Sequence, residues 1–321
     1  MSISSESSAG SVPKVSPEPV PEKGPPRNLA TGVIKALRPR QWVKNVLVFA
    51  APVAALGDAR YAYDYREVLV RVLLAFAVFS LAASCVYLVN DARDVEADRA
   101  HPTKRFRPIA AGVVPEWLAY TLAVVLGAAS LVISWLVTPN LALVIAIYIV
   151  IQLAYCFGLK HQPVIDICIV SSGFLIRAIA GGVAADVPLS QWFLLMMAFG
   201  SLFMAAGKRY AELQLAERTG AKIRKSLERY SASYLRFVWA LSATVLIMTY
   251  CLWAFQIREA QPHNTVWTMV SIVPFVVAVL RYAVDVDTGN GGEPEDIALG
   301  DRVLQVLAIA WVAALTVAIY A

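Results

Sequence analysis

Charge is scarce in this sequence. Only 16% of its 321 residues are Asp, Glu, Lys or Arg, whereas 59% are hydrophobic, and the mean hydropathy is +0.61. A water-soluble domain carries about a quarter charged residues, so a soluble globular enzyme is excluded. Cysteine is also sparse. Cys85, Cys156, Cys168 and Cys251 all lie in apolar runs and form no CxxC pair. That excludes a disulfide framework or a cysteine zinc site and leaves them as small packing residues. No long charged stretch remains to build a separate soluble domain, and no internal repeat is visible.

What the sequence does hold is a series of apolar stretches of about 17–25 residues, the length that crosses a hydrocarbon core. The expected fold class is an all-α polytopic membrane protein with about nine transmembrane helices. They fall roughly at 43–57, 68–91, 115–137, 140–158, 163–184, 189–206, 233–256, 265–284 and 302–320, several of them bounded by Pro115, Pro139, Pro163 and Pro188. Residues 1–28 are rich in Ser, Pro, Glu and Lys and lack aromatics. They read as a disordered tail without the apolar core of a signal peptide. Residues 29–321 read as one membrane-embedded domain. The segment "LATGVIKALRPRQWVKN" is expected to start as an interfacial helix, with Trp42 at the headgroup level and Arg38 and Arg40 anchored to lipid headgroups.

The basic residues are unevenly spread. With the N-terminus inside, the inner segments hold 22 of the 28 Lys and Arg residues, and the outer ones hold only Arg60, Arg66 and Arg258. By the positive-inside rule the N-terminus is expected in the cytoplasm.

The second apolar stretch ends in "NDARDVEADRAHPTKRFRPIAAG", Asn90 to Gly112. Asp91, Asp94 and Asp98 are spaced i, i+3, i+7, which on a helix brings them within about 60° of one another. Three carboxylates on one face repel unless a cation sits among them. Hard oxygen ligands suit Mg²⁺, which takes the rest of its shell from water and phosphate. Asn90 can add a carbonyl oxygen. Glu96 lies off the stripe and reads as a solvated bystander. Lys104, Arg105 and Arg107 follow close behind, where they can fold back on a metal-bound anion. His101 can help turn the loop or bond a phosphate. An acid stripe with a basic loop is the pattern expected for a Mg²⁺-bound diphosphate.

The motif, written N-D-x-x-D-x-x-x-D-x-x-H-P-x-K-x-x-R-P-I-A-x-G, resembles the first signature of the UbiA superfamily of intramembrane prenyltransferases. The resemblance covers about residues 36–320. It implies a UbiA-type helical bundle with a cytoplasm-facing cavity, in which Mg²⁺ holds a diphosphate that ionises before an acceptor attacks. Asp91, Asp94 and Asp98 are then the expected catalytic residues and, with Asn90, the metal ligands.

Most of that family carries a second acidic motif, D-x-x-Y-A-x-x-D. Here the corresponding stretch is "GKRYAELQ", Gly207 to Gln214. Tyr210 and Ala211 remain, both aspartate positions are lost, and Lys208, Arg209 and Glu212 appear. Lys208 and Glu212 can also be read as a plain surface i,i+4 pair. Lys44 and Lys160, at the inner ends of the first and fourth helices, add further positive charge, or serve only as positive-inside anchors. Such an excess suits a donor with an extra phosphate. "LRPRQWVKNVLVFAAP" together with "GKRYAEL" resembles the branch that transfers 5-phosphoribose from phosphoribosyl pyrophosphate (PRPP) to polyprenyl (decaprenyl) phosphate, on the way to the arabinose donor of arabinan cell walls. The expected substrate-binding residues are Lys44, Asn90, Lys104, Arg105, Arg107, Lys160, Asp166, Lys208, Arg209, Tyr210 and Glu212.

Asp166 and Arg177 are intramembrane ionisable residues, and such residues are site candidates by default. Asp166 can bond the ribose or orient Lys160. Arg177 can be structural or line a lipid tunnel. The basic stretch 217–230 reads as a helical cap or a membrane-surface segment, and the Gly-rich stretch 284–301 as a solvated loop. Two other functions compete. A prenyltransferase moving a polyprenyl diphosphate onto an aromatic or quinone precursor needs the second acidic motif that is missing here. A transporter places its charges near the midplane on broken helices, whereas here they gather at one face. Membrane lipid is an expected partner, nucleic acid is not, and a homo-oligomer is compatible with the composition.

Overall fold

The computed structural model describes residues 24–55, 63–219, 227–260, 265–288, 297 and 300–320. Residues 1–23 of the expected tail, 220–226 of the basic stretch and 289–296 of the Gly-rich stretch lie outside the described residues. Among the described residues every regular element is helical.

The helices are α1 (Leu29–Ala36), α2 (Ala50–Ala55), α3 (Tyr65–Arg93), α4 (Val95–Arg99), α5 (Glu116–Val137), α6 (Pro139–Cys156), α7 (Ile165–Ala185), α8 (Gln191–Thr219), α9 (Ala232–Ala260), α10 (Thr265–Val270), α11 (Ile272–Asp287) and α12 (Arg302–Tyr320). Six helical stretches are long and apolar enough to cross a membrane: α3, α5, α6, α7, 232–256 of α9 and 266–287 across α10 and α11. Their outer faces carry side chains such as Val124, Leu136 and Leu280, as apolar lipid tails require.

The first expected span takes a different form. Residues Pro39–Phe49 form a 3₁₀ helix that runs into the short α2. Pro39 and Pro52 each remove a backbone donor, and the polar side chains between them seek partners sideways. Trp42 Nε1 donates to Ser84 Oγ at 3.1 Å, which pins Trp42 to α3. Asn45 Nδ2 donates to Ser80 Oγ at 2.9 Å.

Arg177 completes this joint. Its Nε donates to Asn45 Oδ1 at 2.7 Å and its Nη1 to Gly173 O at 2.6 Å. The guanidinium also lies 4.8 Å from the centre of the Phe79 ring. A buried cation needs such partners to stand outside water. The structure therefore gives Arg177 a joining role between α7, α3 and the 3₁₀ segment.

Three apolar cores follow from these contacts. Val48, Phe79, Ile145 and Ile176 join the 3₁₀ segment to α3, α6 and α7. Phe203, Tyr210, Trp239 and Tyr282 join α8, α9 and α11. Leu88, Ile109, Val114 and Ala119 seat the loop after α4 between α3 and α5. Helix α7 reaches both of the larger cores, and small residues let backbones approach it closely. A Cβ on Gly181 would lie 1.6 Å from Val48 O.

Gly181→Ala is expected to cost about 3 kcal/mol or more, at or beyond the upper end of overpacking, because the obstruction is backbone. Gly200→Ala meets only Leu246 Cδ1 at 3.5 Å and should stay within about 0.5 kcal/mol of the parent. Thermal unfolding of both variants in detergent, followed by tryptophan fluorescence, checks this. Equal midpoints would show that α7 does not touch the Val48 carbonyl.

Candidate functional site

Helix α3 has 29 residues and so is about 43 Å long, longer than the ~30 Å hydrocarbon core. Its C-terminal turns and α4 carry the acid stripe. The helical path bends at Asp94 (φ −92°, ψ 11°), yet the amide bonds from Asp94 to Asn90 O and from Asp98 to Asp94 O persist at 3.0 and 2.8 Å. The predicted periodicity survives the bend.

Asp91 and Asp98 are each only 3% exposed. Arg107 Nη1 bridges them, 3.1 Å from Asp91 Oδ1 and 2.7 Å from Asp98 Oδ2. Arg38 Nη2 also donates to both oxygens of Asp91, at 2.5 and 2.8 Å. Asp94 pairs with Lys160 Nζ at 2.5 Å. Asn90 Nδ2 reaches Asp91 Oδ1 at 3.4 Å. One charged centre thus gathers Asn90, Asp91, Asp94, Asp98, Arg107 and Lys160 from the sequence-based expectation.

Arg38 was expected at the lipid headgroups and is instead part of this centre. It sits between α1 and the 3₁₀ segment with φ at +55°, a left-handed conformation uncommon for a residue with a side chain. Its guanidinium lies 5.0 Å from the centre of the Tyr87 ring. The following Pro39 marks a turn in the sequence, but nothing local shows that the turn aims Arg38 at a carboxylate 53 residues away.

The loop after α4 is shaped by its own polar groups. His101 Nδ1 accepts the amide hydrogens of Thr103 and Lys104 at 3.3 and 3.4 Å, which closes the turn. Arg105 is exposed and lies 4.7 Å from the centre of the Phe106 ring. Glu96 is exposed and pairs with Arg99 at 2.6 Å. Lys104 and, on the 3₁₀ segment, Lys44 are half-buried.

A second charged group lies between α7 and α8. Asp166 is 1% exposed. Its Oδ1 accepts the Tyr230 hydroxyl at 2.5 Å, and its Oδ2 faces Arg209 Nη2 at 3.5 Å without closing a hydrogen bond. Arg209 Nη1 is 3.7 Å from Glu212 Oε2. Lys208 beside it is half-buried. Burial, followed by the hydrogen bond to Asp166, holds the Tyr230 hydroxyl well above the usual tyrosine range. Tyr230 is the donor in that bond. It had no signal in the sequence.

Tyr210, also expected at the site, turns the other way. It is fully buried on Trp239, and its hydroxyl donates to Asp287 Oδ1 at 2.9 Å while accepting from Arg236 and Gln214. Gly207 has a steric reason. A Cβ there would lie 2.9 Å from Trp239 Nε1, so an aspartate at this position would displace that ring.

Three carboxylates and an amide are the oxygen donors that suit Mg²⁺. Two of those carboxylates already converge on one cationic atom, Arg107 Nη1, so the donor set fits a divalent ion. Among the described residues no three acidic, His or Cys side chains are gathered closely enough to enclose one. The chain's own guanidinium and ammonium groups hold the carboxylates instead.

Arg107→Ala is expected to cost about 2–3 kcal/mol of stability. That is less than the ~3–5 kcal/mol of a fully buried pair, because the Arg107 side chain is 28% exposed. Arg107→Lys should recover part of the loss by returning a point charge. Denaturation in a graded series of SDS–detergent mixtures reads both. A neutral Arg107→Ala would mean that the two carboxylates are hydrated.

Residues 46–299 match the model of the UbiA prenyltransferase family. The chain is 68% identical over 312 residues to a decaprenyl-phosphate phosphoribosyltransferase of Mycolicibacterium smegmatis, covering 95% of this chain and 98% of that one. It is 70% identical over 295 residues to the protein of the same name from Mycobacterium tuberculosis, covering 92% and 96%. Among solved structures, a UbiA homolog from Archaeoglobus fulgidus bound to GPP and Mg²⁺ superposes with a TM-score of 0.64. It is 13% identical, and the match covers 89% of this chain and 98% of that one. This last likeness is one of fold.

Proposed function

The chain belongs to the UbiA prenyltransferase family, and we propose that within it this protein transfers 5-phosphoribose from PRPP to decaprenyl phosphate, releasing pyrophosphate. The observation that carries the proposal is the 68–70% identity, over more than nine-tenths of the chain, to two proteins bearing the name of that activity. The arrangement of charge supports it, since both reactants are polyanions and the site is rich in cations.

The chemistry needs little from protein side chains beyond positioning and charge. The bond from C1 of the ribose to the pyrophosphate oxygen breaks, and its electron pair leaves with pyrophosphate. An oxygen of the lipid phosphate forms the new bond to C1 from the opposite face. That phosphate is already an anion, so no proton has to be taken from the nucleophile and no general base is required. A bound Mg²⁺ supplies neutralisation of the leaving pyrophosphate, and Asp91, Asp94 and Asp98 with Asn90 would hold it.

Arg38, Arg107 and Lys160 stand beside those carboxylates. With a diphosphate bound, these cations would trade carboxylate oxygens for phosphate oxygens, which Arg meets in bidentate fashion. Lys44, Lys104, Arg105, Lys208 and Arg209 extend the positive field over both polyanions. Asp166 serves by orienting Arg209. In this scheme the chain crosses the bacterial plasma membrane nine times. The acid stripe opens to the cytoplasm, where the soluble donor is found, and the product feeds synthesis of the arabinose donor for the cell wall.

The test uses purified protein in detergent with Mg²⁺, decaprenyl phosphate and radiolabelled PRPP, following label into the organic phase. Transfer should vanish with EDTA, fall by about 10²-fold or more in Asp94→Ala, fall by at least about 10-fold in Arg38→Ala, and persist in Arg40→Ala. Absence of transfer, with product instead from a polyprenyl diphosphate and an aromatic acid, would overturn the proposal.

A further inference from the structure

The short connection between α6 and α7 holds Val164 at φ +70°, ψ −52°. This lies close to the rare, strained γ-turn geometry, and a β-branched residue there is an outlier. Such a conformation persists only where its surroundings impose it. The group that meets the Val164 amide is Tyr230, which lies in the connection between α8 and α9. Val164 N donates to the Tyr230 hydroxyl oxygen at 2.5 Å, and that hydroxyl donates in turn to Asp166 Oδ1 at 2.5 Å. A second bond joins the same two connections, from Arg229 Nη1 to His161 O at 3.1 Å.

Both ends of this arrangement carry a cation. Lys160, four residues before Val164, is the partner of Asp94. Arg209, on α8, faces the buried Asp166 oxygen that lacks a hydrogen bond. Arg209 is only 8% exposed, and its five N–H donors meet carboxylate oxygens no nearer than 3.5 and 3.7 Å. A buried guanidinium with unclosed donors is prepared for an oxygen-rich anion. Tyr230 itself touches neither cation. Its ring packs beside Tyr234, with centroids 5.9 Å apart.

We propose that Tyr230 is a positioning residue for the anionic donor. Its one hydroxyl fixes the Lys160 turn through the Val164 amide and fixes Arg209 through Asp166, so the two cations are set at once for a single polyanion. This rests on the transferase reading given above. Tyr230 acts through its neighbours and is not a group that meets the reacting atoms.

The test is Tyr230→Phe in the full-length protein, which keeps the ring and its stacking and removes only the hydroxyl. KM for PRPP should rise about tenfold, the size of one lost hydrogen bond to a charged group. KM for decaprenyl phosphate should not move, and kcat should change less than about threefold. Asp166→Asn should reproduce the effect. The double variant should cost no more than the larger single one, since both break the same link. Inorganic pyrophosphate, titrated with Mg²⁺ by calorimetry, gives a readout without turnover and should bind about tenfold more weakly to Tyr230→Phe.

A lowered melting temperature with unchanged KM and unchanged pyrophosphate binding would overturn the proposal, as would additive single effects. Should Tyr230→Phe not fold, Asp166→Asn carries the same KM and calorimetric readouts. Wild-type protein that binds pyrophosphate but transfers nothing from PRPP would sink the transferase reading. The Tyr230 comparison by calorimetry would still stand.

Discussion

Burying Asp91 and Asp98 takes two carboxylates out of water, and the rest of the site is arranged around that cost. A buried charge is tolerated only when paired and hydrogen-bonded. The partners come from opposite directions along the chain. Arg38 lies 53 residues before Asp91 and Arg107 lies 16 after it. To deliver Arg38, the chain leaves α1 through a left-handed residue and enters a 3₁₀ segment instead of a straight helix. To deliver Arg107, the loop after α4 folds back under His101 and packs Ile109 and Val114 into a core with α3 and α5. The oddest backbone in the first third of the protein thus has an electrostatic reason.

The same pairing explains how acids and bases coexist so densely. Each carboxylate of the stripe has a cation within hydrogen-bonding reach: Arg38 and Arg107 for Asp91, Arg107 for Asp98, and Lys160 for Asp94. The arrangement of these six side chains is therefore electrically closed. In the proposed function a diphosphate would enter by exchange, drawing Arg38, Arg107 and Lys160 to its own oxygens and leaving Asp91, Asp94 and Asp98 to hold Mg²⁺. A preformed cluster of three uncompensated aspartates would be much less stable in the absence of ligand.

Much of the fold was legible because membrane physics is coarse. Apolar length and the clustering of Lys and Arg suffice to read an all-helical chain, and the i, i+3, i+7 spacing suffices to read the acid stripe. Lys160 and Arg107 were legible as nearby positive charge, though not as partners of particular oxygens. What was not legible depends on tertiary direction. The first expected span gave way to a 3₁₀ segment because Asn45 and Trp42 bond sideways to α3. Tyr210 sits in a motif that looked functional, yet its ring packs on Trp239 and its hydroxyl turns to α9 and α11. Arg38 looked like any juxtamembrane cation, and Tyr230 like any loop tyrosine. No periodicity marks either one, because each acts on a residue more than fifty positions away.

The loss of the second acidic motif is best understood through packing as well as charge. At Gly207 the missing side chain leaves the space that Trp239 fills, and Trp239 in turn stacks against both Tyr210 and Phe203. At Gln214 the amide reaches the Tyr210 hydroxyl. The two replaced positions are thus tied into one aromatic and polar cluster, while Arg209 between them points to Asp166 on α7. Restoring an aspartate at 207 alone would break the cluster before it could add a metal ligand. The change from acid to base on this helix is therefore coupled to the α8–α9 interface, and a return to an acidic motif would require Trp239 to change as well.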